Sequence, residues 1–272
     1  MATTSARRPG TTRPGTRERP ALTADQLMEI LALLPQVDSV ELKVSVPQVG
    51  RRSAVRSLGM DPLDAQLRQV VFFDTPDLTL NQHGTVLRAR RIQRRAGDSV
   101  VKLRPVVPSQ LTSSLRQSPG FGVEVDVMPG GFVCSGRMKA AVDDRVLMRV
   151  FDGDKPVKKL FTHEQRALFA DHAPSGLGLE DLVVLGPINI AKLKFSPRGF
   201  PRRMVAELWF YPDGSQILEL SLKCRPDEAF DVAASTKAFL TGKGVDLGAD
   251  QQTKTKSALT FFAAEVSADL PA

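Results

Sequence analysis

Charged side chains that suit both a metal ion and a phosphate stand two residues apart in the stretch Ser39–Val46. Valine or leucine occupies positions 40, 42, 44 and 46, and polar residues, including Glu41 and Lys43, occupy the positions between them. Strict alternation predicts a β-strand with one apolar and one polar face. A carboxylate is a ligand for a hard cation, and an ammonium group pairs with phosphate oxygens. The polar face of this strand therefore suits a ligand that contains both.

Five further stretches repeat the alternation of charged and apolar residues. The last of them, with Glu219, Ser221 and Lys223, echoes the order of the first, so two distant strands would bring carboxylates and lysines to one place. The other charged pairs are Arg88 and Arg90, Lys102 and Arg104, Glu124 and Asp126, and Lys192 and Lys194. The water-facing side of an antiparallel sheet gives the same pattern. The pattern alone thus leaves open whether these side chains face solvent or a shared interior.

Strands are the main elements that must position these side chains. Besides Ser39–Val46, alternation predicts strands over 69–74, 86–91, 98–104, 122–127, 188–195, 204–211 and 215–224. Hairpin turns are predicted at Ala96-Gly97-Asp98 and Pro212-Asp213-Gly214. Helices are predicted over 23–34, 61–67, 162–169, 227–241 and 253–265, and irregular structure over 105–120 and in much of 130–187. This many strands excludes a doubly wound α/β sheet.

The composition is that of a globular protein with a core of ordinary size, since 42% of the 272 residues are hydrophobic. The net charge is +7, and residues 1–20 supply five arginines against one glutamate. We expect a disordered tail over 1–21, rather than a transit peptide, then a single domain over 22–265 and a flexible end over 266–272.

The expected location is the cytoplasm. No apolar run reaches 18 residues and no signal series opens the chain, so neither secretion nor a membrane span is expected. The two cysteines, Cys134 and Cys224, form neither a disulfide framework nor a zinc-ligand pattern. A reducing compartment is consistent with this cysteine usage.

Seven motifs occur in a fixed order between about residue 38 and residue 262. They are the strand with Glu41 and Lys43, Asp74-Thr75-Pro76-Asp77-Leu78, Leu87-Arg88-Ala89-Arg90-Arg91, Val101-Lys102-Leu103, Glu124 with Asp126, Glu207-Leu208-Trp209, and Glu219-Leu220-Ser221-Leu222-Lys223. Together they resemble the CYTH domain of the triphosphate tunnel metalloenzymes. The resemblance implies an α+β, mainly β fold, in which a closed eight-stranded antiparallel barrel directs polar side chains into a tunnel and helices pack outside.

The resemblance also implies roles for the charged residues. Bound phosphates need cations to replace their lost hydration. The implied phosphate-binding residues are Lys43, Arg88, Arg90, Lys102, Lys192, Lys194 and Lys223. The implied ligands for Mg²⁺ or Mn²⁺ are Glu41, Glu124, Asp126, Glu207 and Glu219, with one ion on the phosphate tail and a second on the attacking water. Glu41, Lys43 and Glu124 are the expected catalytic residues.

The implied function is metal-dependent hydrolysis of inorganic, nucleoside or thiamine triphosphate. Ser39 and Ser221 depart from the family pattern, because each stands where an acid is expected. A weaker second metal site, a changed substrate, or binding without catalysis therefore stays open. The alternatives are an adenylate cyclase of the class IV type and a non-catalytic polyphosphate- or nucleotide-binding module. The expected partner is a small molecule with a triphosphate; neither nucleic acid nor a membrane is expected, and the oligomeric state is not predicted.

Overall fold

Nine β-strands close into one barrel in the computed structural model, which describes residues 22–248 and 254–269. The strands are β1 (Ser39–Val46), β2 (Gln66–Asp74), β3 (Thr85–Ile92), β4 (Arg95–Leu103), β5 (Phe121–Met128), β6 (Gly131–Val142), β7 (Val183–Phe195), β8 (Met204–Phe210) and β9 (Gln216–Cys224). Around the barrel the order is β1-β5-β6-β4-β3-β2-β7-β8-β9, and β9 pairs with β1. The predicted tail over 1–21 lies outside the described residues.

Eight α-helices accompany the barrel in the described ranges. They are α1 (Ala24–Leu33), α2 (Arg51–Ser57), α3 (Thr79–Gln82), α4 (Ser113–Gln117), α5 (Asp144–Phe151), α6 (His163–His172), α7 (Ala229–Gly242) and α8 (Lys254–Asp269). The helix predicted over 23–34 is confirmed, and a capping box opens it, since Thr23 and Gln26 each accept a backbone hydrogen bond from the other. None of the described helices is long and apolar enough to cross a membrane.

The expectation of eight antiparallel strands was wrong in two respects. The ninth strand, β6, lies within 130–187, which was predicted to be irregular. Gly130 and Gly131 interrupt the alternation, but Pro129 and Gly130 form the tight turn between β5 and β6, with Gly130 at a φ of 85°, and Gly131 already pairs with Met128. The barrel is also mixed, because β1 and β5 run parallel with Glu41 opposite Asp126. Side chains alternate in the same way along parallel and antiparallel strands, so alternation does not reveal direction.

Other differences between prediction and structure are local. Residues 61–67, predicted as a helix, form the 3₁₀ turn Pro62–Asp64 and the start of β2. The turn between β3 and β4 lies at Gln93 and Arg94 rather than at Ala96-Gly97-Asp98. Gly97 lies within β4, where a Cβ would clash with Leu147 and a backbone carbonyl, so packing rather than a turn requires this glycine. Helices α2 and α4 form in segments that were predicted to be loops.

The barrel is inverted relative to an ordinary sheet, with its charged faces inside and its apolar faces outside. The helices cover the apolar outer faces in two clusters. One cluster joins β1, β5, β8 and β9 to α1, α2 and α7. The other joins β2, β3, β4 and β6 to α3, α5 and α6. Burial of apolar surface between helices and barrel therefore stabilises a fold whose interior is polar.

A third apolar cluster lies on the inside of the barrel. It contains inward-facing residues, among them Val70, Ile190 and Trp209, together with Leu259 and Phe262 of α8. Thr255, in the first turn of α8, lines the central cavity together with Val70, Ile190 and Trp209. Helix α8 thus packs on the inner wall of the barrel, unlike the other long helices.

Removing side-chain volume from α8 should loosen its contact with Trp209, the protein's one tryptophan. Leu259 is 2% exposed and packs in the same cluster as Trp209. Leu259→Ala should lower the free energy of unfolding by about 2–5 kcal/mol and increase acrylamide quenching of the tryptophan fluorescence. Leu240→Ala is the matched control. Leu240 lies on α7, is 1% exposed, and packs in the outer cluster with α1, α2 and α7, away from Trp209. Equal quenching in both variants would contradict the placement of α8.

Candidate functional site

The interior of the barrel is a cavity lined mainly by charged side chains. Seven basic and five acidic residues line it. They are Lys43, Arg68, Arg88, Arg90, Lys102, Arg104 and Lys192, and Glu41, Glu124, Asp126, Glu207 and Glu219. Because they come from eight of the nine strands, with Arg104 just beyond the end of β4, barrel closure brings them together. The choice left open by the sequence is thereby decided in favour of a shared interior.

Three of the carboxylates form a compact cluster. One oxygen each from Glu41, Glu124 and Asp126 lies within 4.8 Å of the others. The parallel pairing of β1 with β5 creates this cluster, since it sets Glu41 beside Asp126 and Ser39 beside Glu124. Ser39, in place of the family's first glutamate, therefore faces an acid supplied by the neighbouring strand.

Two lysines connect the carboxylates of this cluster. Lys43 Nζ lies 2.9 Å from Asp126 Oδ1 and 3.5 Å from Glu41 Oε2. Lys102 Nζ lies 3.2 Å from Asp126 Oδ2 and 3.4 Å from Glu124 Oε1. Burial opposes the charge on both lysines: it lowers the pKa of Lys102, whereas Asp126, Glu41 and Glu219 together raise the pKa of Lys43. Both amino groups lie within ion-pair distance of two carboxylates, which places them to compensate the acids.

Glu124 has the largest number of cationic partners in the cluster. Besides Lys102, it accepts hydrogen bonds from Arg137 Nε at 3.0 Å and Lys223 Nζ at 3.1 Å. Burial works against its charge, but Lys102, Arg137 and Lys223 hold the pKa of Glu124 well below its usual range. Lys102 and Lys43 likewise lower the pKa of Asp126 against the effect of burial. Both groups are therefore carboxylates at any physiological pH.

A second acidic pair lies on neighbouring strands, where Glu207 of β8 is in register with Glu219 of β9. Lys192 Nζ donates to Glu207 Oε1 at 2.7 Å. Trp209 Nε1 donates to the other oxygen of Glu207 at 3.4 Å. Glu207 is thus oriented by two donors inside the cavity.

Arg90 is held by Asp98, an acid that was not among the expected site residues. Its guanidinium makes a bidentate pair with Asp98, at 2.7 and 2.9 Å, and Lys139 lies 3.1 Å from the same carboxylate. Burial opposes the charge of Asp98, but Arg90 and Lys139 lower its pKa. Removing Arg90 would therefore leave a buried carboxylate short of a partner.

Three arginines of the cavity have buried guanidinium atoms without an acceptor. The Nε groups of Arg68, Arg88 and Arg104 are buried and make no hydrogen bond within the described residues. Burial and the nearby Arg90 lower the pKa of Arg88 to about 10, which still leaves it charged at neutral pH. A buried donor with no acceptor costs roughly 1–3 kcal/mol, and more when it is charged. The cavity therefore has unused capacity to bind an anion.

The structure places most of the residues expected from the sequence in this cavity. Of the twelve distinct residues that the resemblance implied, ten line it. Lys223 reaches Glu124 but is largely exposed, and Lys194 is exposed and does not line the cavity, although it shares a strand face with Lys192. Ser221 lies opposite Lys43, and Glu219 opposite Ser45, as the echo between the first and last strands implied.

Two arginines at the site were missed. Arg68 lay between the helix predicted over 61–67 and the strand predicted over 69–74, although Gln66, Arg68 and Val70 continue the alternation of β2. Arg137 lies on β6, which was not predicted. Extending the two-residue period backwards from Val70 would have found Arg68.

The carboxylate cluster fits a hard divalent cation. Oxygen ligands of one Mg²⁺ lie at most about 4.2 Å apart, since each is about 2.1 Å from the ion. The 4.8 Å spread of the three carboxylates is near this limit, so small side-chain rotations suffice. Oxygen-only donors are those that Mg²⁺ and Mn²⁺ prefer.

Two solved structures have a similar fold. One is a candidate adenylyl cyclase from Hippeastrum with a dominant triphosphatase activity, which is 16% identical over 81% of this chain and 95% of its own, with a TM-score of 0.60. The other is a candidate adenylate cyclase from Bacillus halodurans, 13% identical over 81% of this chain and 97% of its own, with a TM-score of 0.57. No known family and no curated protein matches the sequence. The expected closed barrel of the CYTH type is confirmed at the level of the fold.

The lowered pKa of Glu124 predicts how stability depends on pH in EDTA. Because its folded-state pKa lies below the unfolded value of about 4.3, this carboxylate contributes stability above that pH, and the contribution is lost on acidification. Glu124→Gln should lower the free energy of unfolding at pH 7 by about 3 kcal/mol, since it leaves buried cations unpaired. It should also flatten the fall in stability between about pH 5 and pH 2.

Urea titrations across this pH range would test the prediction, with Asp171→Asn as the control because Asp171 is exposed. A pH profile of Glu124→Gln that runs parallel to the wild-type profile would contradict it.

Proposed function

We propose, for a chain with the barrel fold of the CYTH type, that the cavity hydrolyses a triphosphate with the help of Mg²⁺ or Mn²⁺. The observation that carries this proposal is the combination of three unpartnered arginine Nε groups with a carboxylate cluster in one cavity. The arginines need an anion, and the carboxylates suit a cation. A metal–polyphosphate complex supplies both in one ligand.

The basic residues account for binding of the phosphate chain. Arg88 and Arg104 have free Nε groups and can each donate in a fork to phosphate oxygens. Lys43 and Lys102 already lie at the carboxylate cluster, so they would contact the phosphates nearest the acids. Because the site is buried, these interactions are stronger than they would be in water.

The acidic residues account for the cation and for the attacking water. Glu41, Glu124 and Asp126 would hold one ion, and Glu207 with Glu219 would be the ligands available to a second. A bound Mg²⁺ or Mn²⁺ supplies charge neutralisation of the transferred phosphoryl group and orientation of a water. Glu41 is the most exposed acid of the cluster, at 27%, which leaves it accessible to accept a hydrogen bond from that water.

The departures at Ser39 and Ser221 do not empty the site of acids. Glu124 lies beside Ser39 in the parallel β1–β5 pair, and Glu207 lies beside Glu219. A neighbouring strand thus supplies a carboxylate beside Ser39, whereas the residues in register with Ser221 are Lys43 and Val205. This arrangement supports catalysis over binding alone.

Hydrolysis is favoured over cyclisation. A cyclase must bind a purine base, and among the described residues no asparagine or glutamine lines the cavity; Trp209, its one aromatic side chain, donates to Glu207. The Hippeastrum protein, in which triphosphatase activity dominates, supports the same choice. We propose further that the partner is a small molecule with a triphosphate, that the metal is Mg²⁺ or Mn²⁺, and that the protein acts in the cytoplasm.

Arg88 gives a sharp test of anion binding, because its buried Nε has no hydrogen-bond partner within the described residues. Arg88→Gln should leave thermal stability unchanged or raise it, since it removes a buried, unpartnered charge. The affinity for tripolyphosphate, measured by calorimetry in EDTA, should fall by about tenfold or more. Arg90→Gln is the contrasting variant, and it should lower stability by leaving Asp98 short of a partner. Unchanged affinity in Arg88→Gln would remove the phosphate assignment.

Phosphate release from tripolyphosphate should require Mg²⁺ or Mn²⁺ and stop in excess EDTA. Glu41→Gln should reduce turnover by about 100-fold or more and raise the metal concentration needed for half-maximal rate, because the cluster loses one charged ligand. Glu180→Gln, at an exposed position, should leave both unchanged. A wild-type protein that binds tripolyphosphate but releases no phosphate with either metal would support the binding-module alternative.

A further inference from the structure

Arg68 is a buried cation without an assigned role. It is 8% exposed, its Nε has no acceptor, and its one hydrogen bond to a described side chain runs from Nη2 to Gln66 Oε1 at 2.9 Å. It lines the central cavity from β2. A guanidinium in this state requires an anionic ligand for the same reason as Arg88 does.

Arg68 lies far along the barrel wall from the carboxylate cluster. On β3, Val86 pairs with Lys102 and Ile92 pairs with Arg68. Val86 and Ile92 are six residue steps apart along β3, which corresponds to about 20 Å. Successive inward residues of a strand are about 6.6 Å apart, and P–O–P links hold adjacent phosphorus atoms closer than that. A triphosphate held at Lys102 therefore spans only part of the backbone separation between Lys102 and Arg68.

The charged neighbours of these residues confirm the separation. Lys102 interacts with Asp126, Glu124, Lys43 and Arg104. Arg68 interacts with Arg90, Glu207, Asp98 and Arg95. The charged groups that most affect the pKa of Lys102 thus differ from those that most affect the pKa of Arg68. Arg88 interacts with members of both, namely Glu124 from the first set and Arg90 from the second, so it lies between the two regions.

A second cavity adjoins the first at Arg68, since both Arg68 and Ile190 line the two of them. The second cavity is lined also by Arg91, Arg94 and Arg95, with Asp144 as its one acid. Arg91 is paired with Asp144 at 3.0 Å. Arg94 and Arg95 are exposed and make no ion pair within the described ranges. Positive charge thus continues from Arg68 towards the surface.

We propose that Arg68, with Arg94 and Arg95 beyond it, forms a second anion subsite that binds the distal phosphoryl groups of linear polyphosphates longer than triphosphate. The proposal rests on the proposed function, because the near end of the chain occupies the triphosphate site. Arg88 joins the two subsites into one continuous row of cations. The ligand class is a flexible chain with one negative charge or more on every unit, which alone can meet cations at such spacing.

Variants of Arg68 and Arg95 test the subsite with two probes, tripolyphosphate and a size-fractionated long-chain polyphosphate, titrated calorimetrically into the full chain in EDTA. Arg68→Gln should weaken binding of the long chain by about tenfold and change binding of tripolyphosphate by less than about twofold. Arg95→Gln, at an exposed position where folding is not at risk, should weaken long-chain binding by about threefold. Arg198→Gln, an equal loss of charge at an exposed loop position, should change neither.

The outcomes separate this inference from the proposed function. Equal weakening of both probes by Arg68→Gln would place Arg68 in the triphosphate site and overturn the second subsite. Unchanged long-chain binding in both Arg68→Gln and Arg95→Gln would overturn it as well. Failure of the wild-type protein to bind tripolyphosphate, or the absence of an effect of Arg88→Gln on that binding, would instead contradict the proposed function.

Discussion

Charge compensation inside the barrel is the constraint on which the rest of the structure depends. Glu124 and Asp126 are almost fully buried, and each is stable as a carboxylate because cations from other strands reach it. Removing such charges from water is costly unless partners with good geometry replace the hydration. The partners come from β1, β4, β6 and β9, so the compensation exists only once the barrel has closed. The polar interior in turn leaves the outer faces apolar, and the helices are needed to cover them.

The compensation is uneven along the tunnel, and this unevenness indicates the ligand. At the carboxylate cluster every acid has a cationic neighbour. Along the wall formed by β2, β3 and β4, Arg68, Arg88 and Arg104 retain buried donors without acceptors. Both regions would be compensated by an extended anion. Such an anion neutralises the arginines at one place and shares a bound cation with the carboxylates at another. A metal-bound polyphosphate has these two properties, whereas a simple anion or a simple cation satisfies one half and leaves the other unpaired.

Much of the site could be predicted from the sequence, because the side chains that matter alternate strictly with apolar ones. Glu41, Lys102 and Asp126 are examples: each was placed on a polar strand face and each lies in the cavity. Lys194 shows the limit of the method, since it has the same periodicity as Lys192 but lies near the end of β7, where the strand face meets solvent. Periodicity gives the side of a strand, and it does not give the height of a residue within the barrel. Arg137 was missed because Gly130 and Gly131, at the start of β6, interrupt the alternation from which strands were predicted.

The sequence by itself determined the strands, the polar and apolar face of each, and the types of charge available to a site. These are local properties, fixed by a two-residue period and by side-chain chemistry. Tertiary structure alone decided that β1 lies parallel to β5, that the sheet closes with nine strands, and that α8 packs on the inner wall. The physical reason is that strand pairing depends on contacts between residues far apart in the chain. Such contacts set Glu41 beside Asp126 and leave the Nε of Arg68 without an acceptor among the described residues.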